Sequence, residues 1–332
     1  MIITKTPFRM SFFGGGTDME NYFRENGGAV LSTTFDKYCY VNVRHLPRFF
    51  DYKTELSYSK TERVTDIESI EHPAIREAMK MLDMHEIRLT YEADLPARSG
   101  LGTSSSFAVG MLNAFYALKG KYADKKKLAD EAIYLERVLC NETGGWQDQI
   151  AASFGGFNRI NFNADGYEVL PIIISPERKQ RLNDNLLMFF TGFTRFSSEV
   201  QKANNVSAED KRKQLKEMHL LVDDAEKVLT DSKADLDEFG RLLDHTWKLK
   251  KQIGSAISTC SIDAFYEKGI KAGALGGKLL GAGGGGFLVF YVQPEYKESV
   301  MSAMQKLMHI PFSFETGGTR VIHYSPETYI PR

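Results

Sequence analysis

The 332-residue chain has only 3 cysteines, and Cys39, Cys140 and Cys260 lie far apart along it. They offer no CxxC pair and no disulfide framework, and the 7 histidines contain no HExxH, which excludes a structural zinc site of recognisable spacing. A surplus of one charge sign is also missing: 42 Lys+Arg against 43 Asp+Glu leave a formal net charge of -1. With no basic excess, neither a nucleic-acid backbone nor an anionic lipid surface is an expected partner. The longest apolar run, Phe287 to Val292, falls well short of the ~20 residues a membrane helix needs. Ahead of the first glycines stand Lys5 and Arg9 but no apolar core of a signal peptide, so a cytoplasmic location is expected. Scattered free thiols suit that reducing setting.

What is present is ordinary globular material: 42% hydrophobic and 26% charged residues, which argues against disorder. The length is slightly beyond one comfortable core, so two lobes are expected. Ile2 to Phe13, Cys39 to Val43, Phe50 to Tyr58 and Ile87 to Tyr91 read as strands. Helical spacing predicts helices over Ser104 to Lys119 and over Lys125 to Cys140. The polar stretch Pro176 to Asn185 breaks this pattern and divides the chain into residues 1–178 and 179–332. Beyond it come a strand (Leu186 to Phe190) and two long amphipathic helices whose charged faces read as solvated surface. A glycine-rich segment then runs into Phe287 to Val292. The whole reads as a two-lobed α+β protein.

Glycines concentrate in three segments: Gly14 to Gly16 after the first strand, Ser99 to Gly102 before a helix, and Gly281 to Gly286 before a strand. The second has the makings of an anion site. Its glycines let backbone approach a ligand, and the helix start behind it presents unpaired N–H groups and a positive dipole end. Thr103, Ser104 and Ser105 add hydroxyls able to donate or to meet magnesium. Taken alone, the segment reads equally well as a Ser-capped helix after a flexible turn. Gly277-Lys278 is followed by Leu279, so no Walker A loop exists. Gly281 to Gly286 matches GxGxxG, but a strand follows where a dinucleotide fold requires a helix. That leaves a tight backbone crossing or a wall against a nucleotide phosphate.

Asp148, in Gly144-Gly145-Trp146-Gln147-Asp148-Gln149, is either an acidic first-turn residue or a base that orients an attacking hydroxyl. Glu136 has Ala132, Ile133, Leu139 and Cys140 as its helical neighbours, so no local salt bridge explains it. Asp18 is a candidate acceptor for polyol hydroxyls or the centre of an Asx-turn. Arg9, on the first strand, could offset charge on a transferring phosphoryl group or lie in solvent.

These segments, in this order, resemble the GHMP kinase family, named for galactokinase, homoserine kinase, mevalonate kinase and phosphomevalonate kinase. Pro7-Phe8-Arg9 through Gly16-Thr17-Asp18 resembles its first motif, Pro96 to Ser105 its second, and Lys278 to Phe287 its third. Thr103 stands where many members have Ser, and Gly15-Gly16 replaces galactokinase's Glu-His. The runs Gly14 to Asp18, Gly144 to Gln149, Phe154 to Asn158 and Gly276 to Gly281 are most similar to the D-glycero-D-manno-heptose 7-phosphate kinases. The resemblance implies a first lobe like ribosomal protein S5 domain 2, a ferredoxin-like second lobe, and ATP with magnesium between them. It makes Pro96, Arg98, Ser99, Gly100, Leu101, Gly102, Thr103, Ser104 and Ser105 the nucleotide loop. Ser104 and Glu136 would hold magnesium, Asp148 would be the base and Arg9, also counted as catalytic, would offset developing charge. Gly15, Gly16, Thr17, Asp18, Gln147, Gly283 and Gly284 would line the sugar, with Arg195 on a distal phosphate. The implied reaction phosphorylates the anomeric hydroxyl of heptose 7-phosphate. A kinase of free fucose or galactose, or a non-catalytic sugar sensor, is the alternative. A homodimer is admissible, and the oligomeric state stays open.

Overall fold

The computed structural model describes residues 1–97, 99–192, 207–254 and 257–326. The first lobe is built on β1 (Ile2–Phe13), β2 (Gly28–His45), β3 (Thr54–Ser57), β4 (Thr61–Val64), β5 (Ile87–Ala93), β6 (Phe157–Asn163) and β7 (Gly166–Pro171). The second is built on β8 (Leu186–Phe190), β9 (Ala274–Leu279), β10 (Phe287–Val292) and β11 (Met308–His309). The chain then returns to the first sheet through β12 (Phe314–Glu315) and β13 (Arg320–Tyr324).

β2 is the spine of the first sheet and pairs antiparallel with β1, β5, β6 and β12. The helix Thr103–Leu118 lies against β1 and β2 and is buried along nearly its whole length. Side chains lock it in place: Ser106 Oγ donates to Pro7 O (2.9 Å) and Thr4 Oγ1 to Gly110 O (2.9 Å). The start of this helix is thereby held beside Arg9. In the second lobe the strand order is β11-β8-β10-β9, all antiparallel. Counted within the lobe that is 4-1-3-2, the ferredoxin-like order. Helix Asp237–Ile253 packs on β9 and on helix Ala208–Thr230. One apolar core joins the lobes: Phe12 and Phe13 of β1 meet Phe239 edge-on, with centroids 5.2 and 5.1 Å away.

Three expectations change. The polar stretch Pro176 to Asn185 is largely helical, Pro176–Asp184, because Ser175 caps Arg178 N (3.2 Å), Pro176 presets the first turn, and Leu182 is buried beneath. The helix predicted over Lys125 to Cys140 is regular only over Lys125–Tyr134 and widens into a π turn, Leu135–Leu139. Finally, β12 and β13 pair with β2 and β1, so the first sheet also draws on chain beyond residue 178.

Candidate active site

The second and third glycine segments meet. Arg9 N donates to Leu101 O (3.1 Å), tying the second segment to β1. Gly100, at φ +81°, lies so close to the third segment that a Cβ there would stand 2.4 Å from Leu280 O. The third segment is therefore a close backbone crossing over the second. Its Gly283 packs on Ile257, and Gly284 N donates to Ile257 O (3.0 Å). No side chain caps the helix start at Gly102, so the dipole end faces the loop.

Asp148 stands in the first turn of helix Gln147–Phe154 with its side chain 24% exposed. Arg9 grips it with both arms of the guanidinium, Nε to Oδ1 at 2.7 Å and Nη2 to Oδ2 at 3.0 Å, while Nη1 donates to Gly100 O (2.6 Å). The charge of Arg9 is thus engaged by Asp148, and its effect on a reacting group passes through that pair. A carboxylate so paired is held in one orientation.

Glu136 is enclosed, with 1% of its side chain exposed. Ser104 Oγ donates to its Oε1 (2.9 Å), and Ser105 Oγ (2.7 Å) and Gln149 Nε2 donate to its Oε2. The π turn carries it, a local widening frequent at functional sites. Ser104 Oγ and Glu136 Oε1 have the separation of two neighbouring ligands in a magnesium octahedron, about 2.9 Å for bonds of 2.0–2.1 Å. Among the described residues no group of three or more His, Cys, Asp or Glu side chains could hold a metal. A cation here would take its remaining oxygens from phosphate and water, as magnesium does.

Asp18 is buried, accepting from Gly16 N at 2.9 Å and Gln147 N at 3.3 Å. Gly145 gives it room, since a Cβ there would fall 1.8 Å from Asp18 Oδ2. Burial, and then the charge of Asp148, push the Asp18 carboxyl above its usual range. Thr17 is fully buried and its hydroxyl binds Gly14 O (2.8 Å) and Ala29 O (2.9 Å), so it shapes the loop. The Gly15 backbone lies near Ser11 Oγ and Gln147 Nε2. Ser11 Oγ, Ser99 Oγ, Gln147 Oε1 and Gln149 Oε1 are buried without a hydrogen-bond partner. Orphaned acceptors grouped around these loops are what a bound polar ligand would satisfy.

Pro96 is exposed at the rim, and Leu101 fills the core with its side chain. Arg98 and Arg195 lie outside the described residues. Sequence reasoning missed Ser11, Gln149, Lys250 and Lys278. Ser11, Gln149 and Lys278 stand inside recognised runs, so their position was a usable signal, whereas nothing local marks Lys250.

Comparison with known proteins decides the family. Residues 69–156 match the GHMP kinases N terminal domain and residues 225–310 match GHMP kinases C terminal. The D-glycero-alpha-D-manno-heptose 7-phosphate kinase of Campylobacter jejuni is 31% identical over 92% of this chain and 93% of its own. The chain belongs to the GHMP kinase family. It is an ATP-dependent kinase. Among solved structures, a D-glycero-D-manno-heptose 1-phosphate kinase from Bacteroides thetaiotaomicron superposes with a TM-score of 0.78 at 25% identity, covering 97% of this chain and 99% of that one. The L-fucokinase/L-fucose-1-P guanylyltransferase of Bacteroides fragilis is 32% identical over 61% of this chain, but that match spans 22% of the larger protein.

Proposed function

We propose that this GHMP kinase is a sugar kinase that transfers the γ-phosphoryl group of ATP to the anomeric hydroxyl of D-glycero-D-manno-heptose 7-phosphate, forming the 1,7-bisphosphate. The observation that carries the choice of acceptor is the end-to-end match to a heptose 7-phosphate kinase at 31% identity. The fucokinase match is no weaker in identity but covers less of this chain.

Phosphoryl transfer demands alignment and charge neutralisation more than covalent help from the protein. The open start of helix Thr103–Leu118, with the loop Ser99 to Gly102 before it, receives the ATP phosphates. Ser104 and Glu136 would hold magnesium, which when bound neutralises phosphate charge. Asp148 points its carboxylate at the acceptor hydroxyl. Its ion pair with Arg9 fixes its direction, so it orients that hydroxyl and accepts its proton as the new bond forms. Asp18, clamped by Gly16 and Gln147, keeps unused lone pairs for sugar hydroxyls. Ser11 and Gln147 supply further polar contacts beside it.

The test is ADP release with magnesium and ATP, using heptose 7-phosphate beside free fucose, galactose and mannose. Preference for heptose 7-phosphate is expected. Turnover on a free sugar alone would keep the kinase and discard this acceptor.

A further inference from the structure

Two lysines stand at the crossing of the glycine segments with no part in the account above. Lys278, on β9, is 2% exposed, and its Nζ donates to Phe12 O (2.7 Å) at the end of β1. Lys250, in the last turn of helix Asp237–Ile253, donates to Gly281 O, where the third segment crosses the second. Among the described residues the partner of each ammonium is a main-chain carbonyl, and an ammonium has three donors. Each therefore retains donors for a ligand.

The surroundings are cationic. Arg9 acts on both lysines and Lys250 acts on Lys278, while Asp18 is the anion that Lys250 senses. Burial and these like charges draw Lys250 down to about 8 and Lys278 well below its ordinary value. The neighbouring Asp148 is already gripped by Arg9. Ammonium groups withdrawn from water, each held by a main-chain carbonyl and close to other cations, are unfavourable, and an anion set against them removes that penalty. The location says which anion. Gly281 touches Gly100, whose carbonyl holds Arg9, and Arg9 holds Asp148. Lys250 thus stands between the nucleotide loop and the acceptor side marked by Asp18. A phosphoryl group crossing from ATP to the acceptor carries its charge on three equatorial oxygens through this space.

We propose that Lys250 is a catalytic residue contributed by the second lobe, its ammonium donating to an equatorial oxygen of the γ-phosphoryl group in transit, with Lys278 behind it raising the local potential. The bond from the γ-phosphorus to the β,γ-bridging oxygen breaks and its electron pair leaves with ADP. The acceptor oxygen bonds to phosphorus, and its proton goes to Asp148 and then water. Lys250 keeps its proton throughout. The inference rests on the kinase reading, not on which sugar is the acceptor.

The experiment compares wild type, Lys250→Met and Lys250→Arg on whichever sugar of the panel the wild type turns over. For Lys250→Met, kcat should fall about 100-fold or more, with KM for ATP and sugar changed less than about threefold. Lys250→Arg should recover part of the loss. A second measurement needs no turnover: calorimetric binding of magnesium–ADP with sugar, without and with aluminium fluoride as a stand-in for the moving phosphoryl group. Lys250→Met should bind ADP like wild type and lose the gain that fluoride gives. Wild-type kcat in Lys250→Met, an intact fluoride gain, or a KM increase confined to phosphorylated sugars would overturn the proposal. A wild type active on fucose but not on heptose 7-phosphate overturns the acceptor reading alone, and the Lys250 comparison then proceeds on fucose.

Discussion

Glu136 and Asp148 are both carboxylates facing the glycine loops, yet the fold treats them oppositely. Glu136 is sealed inside the first lobe and hydrogen-bonded by two hydroxyls and an amide, with Arg137 Nη2 3.8 Å from its Oε2. Asp148 stands at the mouth, partly in solvent, and is gripped by a buried guanidinium. The hydrogen-bond donors of Glu136 are neutral and its nearest cation, Arg137, stands 3.8 Å off, which suits a group that also serves a metal. The Arg9 pair cancels the charge of Asp148 and fixes its direction, which suits a group that must aim a neutral hydroxyl.

Substitution should break this comparison in graded steps. Asp148→Asn keeps the shape but loses the carboxylate, and kcat should fall by roughly 10³-fold while ATP affinity is retained. Equal loss of both would remove the orienting role. Glu136→Gln should lower turnover by about 100-fold at limiting magnesium, and it should also lower the Tm, because an amide cannot accept from all three donors. Loss of stability without any shift in magnesium dependence would make Glu136 a core residue only.

The smallest effect concerns Asp18. Its carboxyl is raised above the ordinary aspartate value of 3.8, mainly by burial, so the native state binds the proton more tightly than the unfolded chain. Stability from this group is present at low pH and is lost as pH rises from about 4 through the higher native value. Between pH 4 and pH 7, the Tm of Asp18→Asn relative to wild type should therefore become more favourable by a few degrees. A constant difference across that range would mean Asp18 is not strained in the free enzyme.

Much of this was legible before the fold was known. The isolation of Glu136 from any helical salt-bridge partner foretold a tertiary partner. The π turn was not legible, since Leu135–Leu139 continues an ordinary helical pattern. Nor was the Arg9–Asp148 pair, because its members lie 139 residues apart and meet only through sheet topology. Lys250 was hidden for another reason. It sits between Lys248, which pairs with Asp244 on the exposed face, and Lys251, which pairs with Asp263, so one lysine of a charged run turns inward. Periodicity does not distinguish a lysine in solvent from one reaching a carbonyl in a loop of its own lobe.

The division of labour between the two carboxylates is tested most directly by titrating magnesium against turnover for wild type, Asp148→Asn and Glu136→Gln side by side. The account predicts that Glu136→Gln needs about 10- to 100-fold more magnesium and recovers part of its rate when given it. Asp148→Asn should keep the wild-type magnesium midpoint and stay slow at every concentration. The reverse pattern, with magnesium rescuing Asp148→Asn and leaving Glu136→Gln unmoved, would contradict it.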